Sequence, residues 1–425
     1  MSQWVIDIKT ELNNRRNAQI EGEQGWRKRS IYKLPPLISE LNAKAYQPQA
    51  VSFGPYHHGE PHLELMEHHK QRAFLHFLER SPVSLDIIFN SMVEVAQDLK
   101  DSYDSLEPKR QHDIEKFVKL MIVDECFVLE IMRVWTERKS DYSDDYPLFG
   151  SEGDFYVVWV IRRDMLFLEN QLPILVLFKL QGIKENDKVA MEELNRLILH
   201  FFEDHSNFEM GKSLHILDLY RKSLLVKRSK STEPLSKLPS RQGLHPSISA
   251  TVLNEAGIRF RKSKINYGMD ISFDDGILSL PAFFVEDATV STFLNLIAFE
   301  RCHIGDDHAI TSFICFMGDI ICHDRDIGLL ISEGIIFNLV GTDKVAANLF
   351  HMMSKDLMID PSSDLFRMTD SIISYCNKPW RKWRAELIRT YFRNPWAIIS
   401  VVSAVILFTL NTLQTGFTVY DVMRK

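Results

Sequence analysis

Histidine and carboxylate side chains crowd one short stretch of the chain: His57, His58, His62, Glu64, Glu67, His68 and His69. These are zinc-ligand types, and zinc takes three or four N, S or O ligands converging on a tetrahedron. His58, His62 and His68 are the candidates. Their spacing works against convergence. His58 and His62 share a helix face only if 58–62 is helical, and Gly59 and Pro61 oppose that. His68 and His69 point about 100° apart on a helix. The stretch therefore reads as a structured GPYHHG turn and a polar helix start, with no metal and no cofactor expected.

Thiol chemistry is the next candidate. Cys302-His303 and Cys322-His323-Asp324 place His beside Cys in sequence, but nucleophile and base must be neighbours in space, and adjacent side chains diverge. Cys126 lies in an apolar run, where a thiol is inert. Asp270, Ser272, Asp274, Asp275 and Gly276 resemble a calcium loop, yet the glycine falls one place late and Pro281 stands where the bidentate Glu belongs. Asp275-Gly276 is instead a hairpin signal. No phosphate-binding glycine loop, G-x-S-x-G elbow or H-E-x-x-H motif occurs. Glu169, Asn170 and Gln171 sit between two apolar runs. Buried there, they must be hydrogen bonded, and a side-chain network capping two helix ends is expected. No catalytic residue is expected anywhere.

The elements that position these residues read as mainly α. Leu63, Met66, Lys70, Phe74, Phe77 and Leu78 recur at helical spacing. Residues 112–135 predict a buried helix through Ile114, Phe117, Val118, Met121, Ile122, Phe127, Leu129 and Ile131. Pro173 demands a break after the Glu-Asn-Gln trio. Residues 190–226 read as helices and 250–290 as short strands; helices resume from Ser291 to about His351. The expected organisation is a mobile arm over 1–30, with a short amphipathic helix at Trp4, Val5, Ile8 and Leu12. A helical body with one or two small β-ribbons spans 31–378, with loop insertions at about 138–154 and 228–246.

The end of the chain carries the strongest physical signal. Between Arg393 and Asp421 no residue is charged, and about 20 apolar residues suffice to cross a bilayer core. A transmembrane helix is expected over 395–419, capped by Asn394 and started by Pro395, with a short tail at 420–425. The segment before it, 379–394, is basic and aromatic. Trp380, Arg381, Lys382, Trp383, Arg393 and Trp396 suit the headgroup region. Beyond the span only Arg424 and Lys425 are basic, so the positive-inside bias places the body in the cytosol. Ala397, Ser400, Ala404, Asn411 and Thr415 form one small or polar stripe, which suits helix pairing.

Composition agrees. A chain of 425 residues with 45% hydrophobic residues can bury a large core. A net charge of −7 leaves no overall nucleic-acid footprint. Five scattered cysteines and the absence of an Asn-x-Ser/Thr sequon suit a reducing compartment. The first residues, MSQWVIDIKTELNNRRN, lack the apolar core of a secretory signal.

Several segments together resemble the plant-specific family catalogued as domain of unknown function 247, also called uncharacterised protein family 0481. They are Ile31–Pro35 with Tyr46-Gln47-Pro48, VSFGPYHHG with MEHHK, KLMIVDECFVLE, RDMLFLENQLP, ISATVLNEAGIRF, DISFDDGILSLP, LNLIAFE and the apolar tail. Two positions depart: the family usually carries Gly where Glu125 stands, and often Arg where Leu294 stands. The resemblance implies a mainly helical body on a C-terminal anchor, and some relatives are linked to pollen–stigma self-recognition in grasses. It transfers no catalytic residue. The expectation is thus a membrane-tethered protein–protein interaction module in plant recognition or signalling. Its partners would be the lipid bilayer and an unidentified protein. The alternatives are an enzyme with an unrecognised site at the membrane, or a structural tether that homo-oligomerises through its transmembrane helix.

Overall fold

The computed structural model describes residues 28–107, 113–137, 141–144, 146–150, 155–183, 187–203, 208–225, 248–263, 268–303, 307–361, 363–391 and 395–423. The expected arm up to residue 27, the insertion at 228–246, part of 138–154, and Arg393, Asn394, Arg424 and Lys425 lie outside them. The arm's described end is tied down: Ser30 N–H donates to Ser102 O at 2.9 Å and Arg29 pairs with Asp104 at 3.0 Å.

Short helical turns at Pro36–Ser39, Glu40–Ala45 and Pro61–Leu63 precede the longer elements. These begin with α1 Glu64–Arg80, α2 Leu85–Glu94, α3 Ala96–Asp101 and α4 Ile114–Glu137, then α5 Phe155–Asp164, α6 Ile174–Leu180, α7 Lys188–Phe201 and α8 Ile216–Leu225. Next come α9 Ala250–Glu255, β1 Arg259–Lys262, β2 Ser272–Asp274, β3 Ile277–Leu280, β4 Phe283–Val285, α10 Thr289–Cys302 and α11 Ala309–Ile320. The order closes with α12 Asp324–Ser332, β5 Ile336–Asn338, α13 Asp343–Ser354, α14 Asp364–Cys376, α15 Pro379–Tyr391 and α16 Pro395–Met423. The protein is mainly helical with few small strands.

The described residues divide into two compact units. One is drawn from Met1–Ser231, Tyr267–Met269 and Glu286–Ile314, the other from Thr232–Asn266, Asp270–Val285 and Cys315–Lys425. The first is organised around α4, against which α1, α2, α3, α6 and α7 pack. A helix with that many neighbours has little surface left for water, and most of its buried positions are apolar. Phe117, Val118, Met121, Ile122, Phe127, Leu129 and Ile131 are buried accordingly. Ile114, expected among them, stands in the first turn and is exposed. α10 is buried along most of its length, with Leu294 half-buried.

In the second unit β1 pairs parallel with β3, and β2 and β3 form an antiparallel hairpin. Asp275 and Gly276 turn it with φ of 41° and 78°, as a two-residue turn with both central residues left-handed requires. A Cβ on Gly276 would also collide with the Tyr375 hydroxyl. The run of helices expected from Ser291 to His351 is interrupted by β5, which pairs parallel with β4 through Phe283 and Ile336. Gly334, at φ 67°, stops α12, and the apolar run that follows is drawn into the strand pair. α12 packs on α9 and α13, and α15 packs on α9 and α16.

Candidate functional site

The polar trio after α5 is a hub of the first unit. Pro173 ends the turn and starts α6. Gln171 Nε2 donates to Met165 O at 2.6 Å and Phe167 O at 2.8 Å, just past the end of α5, while its Oε1 accepts Leu217 N–H at 3.0 Å in the first turn of α8. Asn170 Oδ1 accepts Phe53 N–H at 2.6 Å, and its amide donates to Val51 O at 3.0 Å and Asp164 O at 2.9 Å. Glu169 accepts Leu34 N–H at 2.5 Å. Side chains from 164–171 thus hold the segment that enters the GPYHHG turn.

Sequence reasoning missed the other members of this hub. Asp164 Oδ2 accepts the N–H groups of Gln49, Ala50 and Val51 at 2.8, 2.6 and 3.2 Å. Asp124 accepts Gly54 N–H at 2.8 Å and pairs with Lys70 Nζ at 2.8 Å, both side chains fully buried. Asn295 Oδ1 accepts Leu168 N–H at 2.9 Å, and its amide donates to Ala45 O at 2.8 Å. Burial pushes the Asp124 and Asp164 carboxyls up, against the pull of their donors. One signal was readable: Lys70 falls on the apolar stripe of α1, and a cation at a core position requires a buried partner. Gly54 has φ 70°, and a Cβ there would lie 2.7 Å from Tyr103 Oη and 2.9 Å from Gln171 O, so this turn accepts only glycine.

The histidines do not converge. His57 is buried, with Nδ1 2.8 Å from Glu60 and Nε2 3.6 Å from Glu169. His58 Nδ1 lies 3.9 Å from Glu67, His62 Nε2 reaches Pro48 O at 3.0 Å, His68 is exposed on α1, and His69 meets Tyr146 Oη at 2.6 Å. Among the described residues, ligand atoms come within 4.8 Å of one another at Cys322, His323 and Asp326. The Asp326 carboxylate is already taken. Oδ1 accepts Thr251 N–H and hydroxyl at 2.8 and 2.6 Å, and Oδ2 accepts Cys322 and His323 N–H at 3.1 and 3.0 Å. This is a helix cap that also ties α9 to α12. Burial pushes the Cys126, Cys302 and Cys376 thiols up, and the Cys315 thiol up to about 11, away from nucleophilic thiolate.

A groove of about 670 Å³ opens beside α1, α2, α4 and α6. Phe77, Ile88, Leu129 and Leu180 give it apolar walls, and Arg80, Glu130, Arg133 and Lys179 give it charge. Glu130 is buried and saturated: Arg80 forms two bonds with it, Arg133 bonds it at 3.2 and 3.3 Å, and Tyr142 Oη donates at 2.8 Å. Burial would raise its carboxyl, but these donors hold it below the ordinary value. Asp141 bonds to the same two arginines. Burial opposes its ionisation, yet they bring it down to about 2. Carboxylates held ionised in this way are fixed charges and poor proton carriers near neutrality. Val83, Leu85 and Ile87 extend an exposed apolar surface at the groove's edge.

α16 is the other site. It runs 29 residues, past the expected end at 419, because no proline interrupts it. Ile399–Tyr420 is long and apolar enough to cross a membrane, and none of it is buried in the fold. Ser400, Ala404, Asn411 and Thr415 are exposed along it. Pro395, Trp396 and Ala397 form its first turn. The basic segment before it is the helix α15, on which Trp380, Lys382 and Trp383 are exposed and Arg381 stacks on Tyr375.

The chain matches DUF247, described as a plant protein of unknown function, across residues 31–410. It is 29% identical over 422 residues to the UPF0481 protein At3g47200 of Arabidopsis thaliana, covering 91% of this chain and 85% of that one. It is 21% identical over 519 residues to the putative UPF0481 protein At3g02645 of the same plant, covering 97% and 94%. No solved structure matches it. The chain belongs to the DUF247 family.

Proposed function

We propose that this DUF247 member is a single-pass membrane protein whose helical body stands in the cytosol and binds another protein in recognition or signalling. The observation that carries the membrane part is α16. Ile406, Leu407, Phe408, Leu410, Leu413 and Phe417 are all more than half exposed. Burying each is worth about 1.5–3 kcal/mol, so these six alone disfavour water by roughly 10 kcal/mol or more. An uncharged span of 22 residues is about 33 Å long, against a hydrocarbon core of about 30 Å. The basic residues of 379–393 set the orientation.

The binding part rests on the groove. Arg80 and Arg133 are paired with Glu130, the walls are apolar, and apolar side chains continue past the rim, as a protein-binding patch requires. The likeness to relatives linked to pollen–stigma recognition favours a recognition role. The test is protease digestion of intact vesicles carrying the full chain with an N-terminal epitope tag. Loss of the tag from outside supports a cytosolic body. Protection until detergent is added overturns the orientation and turns the search toward extracellular partners.

A further inference from the structure

We infer that α15 is a membrane-surface helix that seats on anionic lipid headgroups and fastens the second unit to the bilayer; this rests on α16 spanning the membrane. At 100° per residue, Trp380, Trp383 and Leu387 fall within about 60° of one another on the helix. They are 74, 67 and 50% exposed. Three large apolar side chains along one line, two of them tryptophan, suit the boundary between headgroups and acyl chains.

The charges fit the same place. Residues 379–391 hold four basic residues, Arg381, Lys382, Arg384 and Arg389, against one acid, Glu386. A helix with this excess of basic residues and an exposed apolar line favours an anionic leaflet over a neutral one. The helix is too polar to span and too apolar on one line to stand free in water. Only three residues separate its end at Tyr391 from Pro395, the start of α16, so its membrane end lies at the surface that α16 enters.

The side of α15 next to this line is locked to the rest of the second unit. Arg381 lies 3.4 Å over the Tyr375 ring of α14. Arg384 donates to Glu255 O, at the carbonyl end of α9, at 3.3 Å, where a cation also meets the helix dipole. Gly257 has φ 96°, and a Cβ there would run into the Arg384 guanidinium. A helix clamped on one side and greasy on an adjoining side transmits its membrane contact to α9 and α14 with no free linker between.

The test is hydrogen exchange of the full chain in nanodiscs of phosphatidylcholine alone and with added phosphatidylserine. In anionic discs the amides of 379–391 are expected to exchange about tenfold more slowly than in neutral discs. The double variant Trp380→Ser, Trp383→Ser changes only exposed side chains and should abolish that difference. Equal exchange in both discs overturns the proposal, as does protection that appears only when two copies share a disc, which assigns the face to a second copy. The amides of α16 report separately. If they are protected in both discs while α15 is indifferent to lipid, the spanning helix stands and this inference fails. If α16 exchanges freely, the membrane reading itself has failed.

Discussion

Glu125 places a carboxyl group inside α4 with 1% exposure, and its Oε2 has no hydrogen-bond partner among the described residues. Burial, with a smaller push from Asp124, holds its carboxyl well above the ordinary value. The sign of the linkage follows. Below about pH 4.3 both folded and unfolded chains carry this proton, and the group costs no pH-dependent stability. Above that the unfolded chain releases the proton and the folded chain keeps it. Stability is then lost by about 1.4 kcal/mol per pH unit, until the pH reaches the raised folded value. Glu125→Gln removes the titration and keeps the shape. The assay is native-state exchange of the buried α4 amides, with the full chain in detergent micelles, for both proteins between about pH 5 and about pH 7. The variant's stability advantage should grow with pH across that range for as long as the folded carboxyl keeps its proton. A difference that stays flat with pH would refute the reasoning, since it would mean that Glu125 ionises in the folded chain as it does in the unfolded one. A glycine here would have no carboxyl to desolvate.

Lys70→Met should destabilise the first unit by about 3–5 kcal/mol, because it leaves Asp124 buried without its cation. Adding Asp124→Leu should recover much of this but not the bond to Gly54 N–H, worth about 1–3 kcal/mol; urea unfolding of the two variants measures both. Ala404→Leu with Asn411→Leu should abolish any crosslinked dimer in membranes, since it fills the small stripe of α16 and removes the amide that seeks a partner in hydrocarbon. Crosslinking that survives both changes would remove this stripe as a pairing face.

Local periodicity made most of the helices legible. α1, α4 and α16 announce themselves because each buries or exposes a continuous set of apolar residues with short-range spacing. The hairpin at Asp275-Gly276 and the break at Pro173 were legible for the same reason: a turn type and a missing N–H act within a few residues. β5 was not. Three residues in strand pairing with β4, 53 positions away by register, leave no local period to read. Glu169, Asn170 and Gln171 could be marked as polar groups in need of partners, but not matched to Leu34, Phe53 or Leu217.

What the sequence determined alone is therefore the family, the helical class, and the presence of a span that water disfavours, since each depends on residue types and near-neighbour spacing. What only the tertiary structure decided is which polar groups meet. Lys70 finds Asp124, Asn170 finds the backbone at Val51 and Phe53, Asp326 finds Thr251 at the start of α9, and Arg384 finds the end of α9. Those contacts join residues tens to hundreds of positions apart. Their strength comes from burial, which exists only once the chain has folded around them.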